Sequence, residues 1–222
     1  MLLEHIEHNT APNPDACIIW LHGLGADGND FAAIVPELRL PDTLRVRFIF
    51  PHAPYRAITL NNGYVMRGWY DISSLQFGST EDDIGIMESA EQIDEFISLE
   101  IERGIQPQRI ILAGFSQGGA IALYTGLRQP LNLGGIMALS TYVPLVGKAA
   151  VAPGSNHELP LFMAHGLDDD IVNYQYGVES RNWLQQQGYR VDWHDYPMTH
   201  SVCRDEIADI RQWILARLQA AN

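Results

Sequence analysis

The chain has 222 residues, 46% hydrophobic and 18% charged, the size and composition of one globular domain able to bury a full core. Its 14 Lys and Arg against 27 Asp and Glu leave a net charge of −13, which argues against nucleic acid or an anionic membrane surface as partner, since a polyanion would be repelled. The first eight residues lack the basic and apolar stretches of a signal peptide, no run reaches the ~18 apolar residues of a membrane span, and Cys17 and Cys203 suit reduced thiols, so the expectation is a cytoplasmic protein without a transmembrane segment.

In chain order, Cys17-Ile18-Ile19-Trp20-Leu21-His22 is a continuous apolar run, as expected of a strand covered on both faces. It breaks at a loop, Gly23-Leu24-Gly25-Ala26-Asp27-Gly28-Asn29-Asp30, whose end caps a helix expected over 31–38. Val46-Arg47-Phe48-Ile49-Phe50 is the next strand, stopped by Pro51 and Pro54. Residues 58–78 show no clear period but carry Tyr64, Trp69, Tyr70 and Phe77, and a long apolar-rich loop of this kind is usually functional.

An acidic first turn at Thr80-Glu81-Asp82-Asp83 precedes apolar residues at 3–4 spacing, predicting a helix to about Arg103 with Gly104 closing it. Strands follow at Ile110-Ile111-Leu112-Ala113, at Gly135-Ile136-Met137-Ala138-Leu139-Ser140, at Leu161-Phe162-Met163-Ala164-His165 and, alternating as if nearer a sheet edge, at 190–196. Helices are predicted from Gly119 to about Leu127, over 176–187 and over 202–218. Six strands alternating with helices give an α/β class: a single domain over 1–222 with a mainly parallel sheet and helices on both faces.

The chemistry centres on Gly114-Phe115-Ser116-Gln117-Gly118, set between a strand and a helix. That context makes G-x-S-x-G a nucleophile elbow: a sharp turn lifts the serine hydroxyl clear of the sheet, and glycines remove the Cβ atoms that would clash there. A serine hydroxyl needs a base, and the base an orienting carboxylate. Ser116 is followed by Asp168-Asp169-Asp170 and then by His200, the chain order Ser…Asp…His of this fold class. Asp169 is favoured by the His-Gly-x-x-Asp spacing from His165, with Asp168 and Asp170 open. His194, beside Asp195 within a strand, is the rival base and reads better as structural. Two N–H donors must face the oxyanion. Gln117 supplies one, and the His22-Gly23-Leu24-Gly25 loop supplies the other, from Leu24.

Other chemistries fit less well. None of the eight histidines falls in an H-x-x-x-H spacing and there is no C-x-x-C, so neither a metal nor a cofactor is expected. Gly23 to Gly28 matches a dinucleotide pattern by letter, but no acidic residue ends a second strand about 20 residues on.

The segments Leu21-His22-Gly23-Leu24-Gly25-Ala26-Asp27-Gly28, Phe50-Pro51-His52-Ala53-Pro54, Trp69-Tyr70-Asp71, Gly114-Phe115-Ser116-Gln117-Gly118-Gly119, Leu139-Ser140-Thr141-Tyr142, His165-Gly166 and Met198-Thr199-His200-Ser201 resemble the small cytosolic carboxylesterases related to acyl-protein thioesterases, the phospholipase/carboxylesterase family. The likeness spans nearly the whole chain. It implies an α/β-hydrolase without a large cap, a catalytic set of Ser116, Asp169 and His200, and oxyanion donors at Leu24 and Gln117. It also implies that loop 58–78 borders an acyl groove lined by Trp69, Leu75, Phe77 and Val143. Ala57-Ile58-Thr59 departs from the family's Pro-Val-Thr at the entry to that loop. The implied activity is hydrolysis of a carboxylic ester or thioester, with an acylated protein or a lysophospholipid as further substrates and a homodimer as a possible assembly. The alternatives are a dienelactone-hydrolase-like enzyme, which would be expected to carry cysteine at position 116, and a non-catalytic ligand-binding or interaction protein on the same fold.

Overall fold

The computed structural model describes residues 2–74, 81–146 and 158–219. Its strands are β1 (His5–Asn9), β2 (Ala16–Leu21), β3 (Val46–Pro51), β4 (Tyr55–Ile58), β5 (Tyr64–Arg67), β6 (Ile110–Phe115), β7 (Gly135–Leu139), β8 (Leu161–Gly166) and β9 (Val191–Tyr196). The helices are α1 (Asn29–Ala32), α2 (Ile34–Glu37), α3 (Asp83–Glu102), α4 (Gln117–Arg128), α5 (Tyr174–Gln186) and α6 (Arg204–Gln219). Seven strands form one sheet in the order β1-β3-β2-β6-β7-β8-β9. Every neighbouring pair is parallel except β1 with β3.

The central strands β2, β6, β7 and β8 are buried along nearly their whole length, so their sequences show no polar alternation. Within β2, Cys17, Ile19 and Leu21 pack with Ile93, Phe96 and Ile97 of α3 and Leu123 of α4. Ala16, Ile18 and Trp20 point the other way, toward Phe31, Val35, Ile210 and Ile214. The two faces thus close two cores over one sheet, each large side chain contributing about 2 kcal/mol of apolar burial. No helix among the described residues is long and apolar enough to cross a membrane.

The structure departs from the sequence reading in three places. β1 has a single apolar residue that pairs into the sheet, Ile6 opposite Phe50, and its outer positions are exposed, so no apolar pattern announces it. The helix expected over 31–38 is two short helices. Pro36 has no N–H to donate to Ala32, which prevents a continuous helix through this point. The segment 58–78 contains half of a hairpin, β4 with β5, registered Tyr55 to Arg67 and Ile58 to Tyr64. Asn62 and Gly63 sit there at φ 55° and 76°, and Asn-Gly is the local hairpin signal that the aromatic spacing obscured.

The α6 N-terminus begins four residues after His200, and Glu206 in its first turn is fully buried. Burial, together with the nearby Asp209 carboxylate, pushes its carboxyl up to about 8, opposed only in part by the Cys203 backbone amide. Its folded pKa therefore exceeds the ordinary value of 4.5, so its contribution to stability is complete below pH 4.5 and is lost as pH rises toward 8. Thermal melts of wild type and Glu206→Gln should diverge across this window, the variant gaining relative stability with each step upward in pH.

Candidate active site

β6 delivers the chain to Ser116, whose backbone lies at φ 54° and ψ −122°. A non-glycine residue in such a conformation carries about 1–3 kcal/mol of strain and persists only where its surroundings hold it. Here the Ser116 N–H donates to the Leu139 carbonyl of β7 (2.9 Å), while its own carbonyl accepts from the Thr141 hydroxyl (2.7 Å) and from the Ala120 N–H (3.1 Å). The turn is so tight that a Cβ on Gly114 would lie 2.3 Å from the Gly118 carbonyl oxygen. A Cβ on Gly118 would meet the Leu21 and His22 carbonyl oxygens, each at 2.5 Å. Strand, helix and neighbouring strand therefore approach at distances that backbone alone permits.

The loops leaving β8 and β9 run side by side. The Leu167 N–H donates to the Tyr196 carbonyl (2.8 Å) and the Asp168 N–H to the Met198 carbonyl (3.1 Å). This juxtaposition brings His200 to Asp169, with Nδ1–H donating to Oδ2 at 2.8 Å. The other carboxylate oxygen accepts from the Ile171 and Val172 N–H groups at 3.0 and 2.8 Å. Burial would raise the Asp169 carboxyl, but the His200 hydrogen bond and charge and the two backbone donors hold it below its usual value, so it stays ionised. Asp168 and Asp170 are exposed on either side. The remaining His200 nitrogen, Nε2, has no hydrogen-bond partner among the described residues, and the imidazole sits 4.6 Å, centroid to centroid, from the ring of Phe115, the residue before Ser116. His194 instead lies against Phe162 with Asp192 and Asp209 as its partners.

The Leu24 and Gln117 N–H groups have no acceptor among the described residues. Gln117 is the first residue of α4, where the helix leaves its amides unpaired and the dipole favours negative charge. The loop that carries Leu24 is held by His22, whose Nδ1–H donates to the Gly23 carbonyl (2.7 Å) and whose Nε2 accepts from the Ala53 N–H (3.0 Å). Burial pushes this imidazole down to about 4, against the Gly23 carbonyl's pull, so it is neutral at pH 7.

The residues assigned to an acyl groove are placed differently from the expectation. Trp69 is fully buried, its indole N–H donating to the His22 carbonyl (2.9 Å), so it supports the 22–25 loop from behind and has no surface to offer a substrate in this conformation. Val143 is also buried, its N–H donating to the Ser180 hydroxyl (2.9 Å). Leu75 and Phe77 lie outside the described residues. Thr141 and His165 are supports that sequence reasoning did not assign. His165 Nε2 donates to the Val172 carbonyl (2.8 Å) and lies 3.4 Å from Asp169 Oδ2. The His-Gly-x-x-Asp spacing already contained His165, and Leu139-Ser140-Thr141-Tyr142 contained Thr141 without assigning it a part.

A cavity of about 440 Å³ opens between the oxyanion loop and the hairpin, lined by Asp27, Asp30, Tyr55, Tyr64 and Arg67 among others. A larger one of about 660 Å³, bordered by Leu161, Val191 and Trp213, lies where β8 and β9 begin, at the end of the sheet opposite Ser116. Ser116 and His200 sit beyond the carboxyl ends of the strands, where ligands bind in open α/β sheets. Among the described residues, no group of three or more His, Cys, Asp or Glu is arranged to hold a metal ion.

A mainly parallel sheet with a strained serine between strand and helix defines an α/β-hydrolase. The sequence profile of the phospholipase/carboxylesterase family matches residues 4–218, and the chain belongs to that family. It is 42% identical over 213 residues to acyl-protein thioesterase 1 of Neurospora crassa, an alignment covering 91% of this chain and 87% of that protein. It is 33% identical over 209 residues to the carboxylesterase SOBER1 of Arabidopsis thaliana, covering 92% of each. The crystal structure of SOBER1 superposes with a TM-score of 0.87 at 32% identity, covering 91% of this chain and 99% of that one. Acyl-protein thioesterase 2 of Zea mays gives 0.84 at 28% identity, with 96% and 99% covered.

The depressed His22 pKa has a measurable consequence. On acidification the unfolded chain binds this proton first, so the stability His22 contributes is complete above pH 6.5 and is lost as pH falls through about 4. The full shift corresponds to roughly 3 kcal/mol. Denaturant unfolding of wild type should therefore weaken across this window, and His22→Asn, with nothing to titrate there, should show a shallower slope.

Proposed function

We propose that Ser116, His200 and Asp169 form the catalytic set of this hydrolase, with the Leu24 and Gln117 amides as its oxyanion hole. The observation that carries the assignment is the 2.8 Å bond from His200 Nδ1–H to the buried Asp169, formed beside a serine held in a strained elbow. His200 Nε2 takes the proton as Ser116 Oγ attacks the carbonyl carbon, and Asp169 stabilises the imidazolium that results. The two amides meet the negative charge that develops on the carbonyl oxygen. Collapse of the intermediate expels the alcohol or thiol, which leaves with the proton from His200. Water, deprotonated by the same imidazole, then releases the acid from Ser116.

The substrate class is a carboxylic ester or thioester, and short to medium acyl chains are the reading that the absence of an evident cap insertion in the sequence favours. The names of the thioesterase relatives extend the proposal to S-acylated proteins, with the cytoplasm as the working location.

Hydrolysis of p-nitrophenyl esters over a series of chain lengths, with an acyl thioester alongside, tests the reading directly. Wild type should peak at one chain length and react covalently with a fluorophosphonate, and Ser116→Ala should lose both properties. An inert, unlabelled wild type would overturn the assignment. Among the three adjacent aspartates, Asp169→Asn should lower kcat on the order of 10⁴-fold by disturbing the tautomer of the base. Asp168→Asn and Asp170→Asn should stay near wild type, and a large loss in either would move the carboxylate's role to that residue.

A further inference from the structure

Any amino acid but proline at position 117 would supply a backbone N–H, yet the side chain present there is turned inward and fully used. Gln117 is buried, and its Oε1 accepts from the Trp69 N–H (2.8 Å) while its Nε2–H donates to the Tyr70 carbonyl (2.7 Å). The carboxamide therefore grips both sides of one residue junction about 47 positions away in the chain. The same short segment reaches the other half of the oxyanion hole. The Trp69 indole N–H donates to the His22 carbonyl (2.9 Å), and the Arg67 carbonyl accepts from the Gly25 N–H (2.8 Å). A Cβ added at Gly68 would lie 3.0 Å from Leu24 Cδ1 and 3.5 Å from Gln117 Oε1. The Ser89 hydroxyl of α3 donates to the Trp69 carbonyl and ties the segment to the helix layer behind.

We propose that residues 67–70 are a strut that sets the separation of the two oxyanion donors, and that the Gln117 side chain is the positioning residue that couples the strut to α4. The proposal rests on the reading of Ser116 as nucleophile and of the Leu24 and Gln117 amides as donors. Its physical basis is the gap in the backbone ladder. Paired residues of β2 and β6 end at Leu21 and Gly114, so the sheet positions the strand ends but not the loop that continues to Leu24. The strut spans that interval through buried hydrogen bonds, where an unmade bond is costly and the geometry correspondingly stiff. The donors must lie where the oxyanion forms rather than where the ground-state carbonyl rests, so a shift of the strut weakens the transition state and spares substrate binding.

The test uses Gln117→Met, which keeps the length and loses both hydrogen bonds, Trp69→Phe, which keeps the ring packing and loses the bond to His22, and the double variant. On the p-nitrophenyl ester that wild type cleaves best, kcat should fall about tenfold to a hundredfold in each single variant, with KM within about threefold. The inhibition constant of a trifluoromethyl ketone, which adds to Ser116 and presents an oxyanion, should rise by the same factor. The double variant should lose little more than the worse single one, because each substitution disconnects the same strut.

Wild-type kcat in both single variants, losses that multiply, or an unmoved trifluoromethyl ketone constant beside a reduced kcat would each overturn the proposal. If Gln117→Met does not fold, Trp69→Phe decides alone by the same inhibition constant: a rise supports the strut and an unchanged value overturns it. A wild type inert to esters and unlabelled by fluorophosphonate removes the catalytic reading itself, whereas an active wild type with unaffected variants removes only the strut.

Discussion

The close approach of three backbone segments at Gly114 and Gly118 is the constraint on which the site depends. α4 begins so near the ends of β2 and β6 that the Leu21 and His22 carbonyls occupy the space a Cβ on Gly118 would need. Only in that arrangement is Ser116 forced into its strained conformation and the first amide of α4 presented beside it. The cost is held by what surrounds it: a sheet covered on both faces, with Leu21 opposite Gly114 and Ala138 opposite it on the other side. A sheet with one open face would have less apolar burial to set against the strain.

Charge is distributed around the serine with the same economy. His200 is bonded to a carboxylate kept ionised despite its burial, so a positive charge on its imidazole is met at once. Two other histidines lie nearby, His22 and His165, and burial pushes the pKa of each below the ordinary imidazole value. Both stay neutral and serve as hydrogen-bonding fixtures, His22 for the 22–25 loop and His165 for the loop that carries Asp169. A protonated imidazole at His165 would compete with His200 for the Asp169 carboxylate. Desolvation removes that competitor without any further residue.

Much of this was readable in one dimension because the relevant signals are local. The elbow pentapeptide, the apolar runs of the central strands and the apolar spacing of α3 each depend on residues within a few positions of one another. β1 was not legible, since an edge strand with one apolar residue has no pattern until β3 lies beside it. The hairpin was legible only through Asn62-Gly63, and the aromatic residues around it invited a different interpretation. Trp69 shows the limit most plainly: the family resemblance implied a groove wall, yet its surroundings are supplied by His22, Ser89 and Gln117 from three distant segments.

The chain by itself determined the class of protein, because the alternation of buried strands with helices and the glycine-serine-glycine turn are properties of short stretches and their order. It also narrowed the base and the carboxylate to a few candidates. Only tertiary structure separates them by position: Asp169 and not its neighbours is buried, because the paired loops after β8 and β9 turn that one side chain toward His200 and leave Asp168 and Asp170 in solvent. It equally decides where the Gln117 side chain goes, to the Trp69 N–H and the Tyr70 carbonyl. Hydrogen bonds that close over nearly fifty residues are set by how segment 67–70, the elbow and the 22–25 loop pack together, and no local pattern in the sequence encodes that distance.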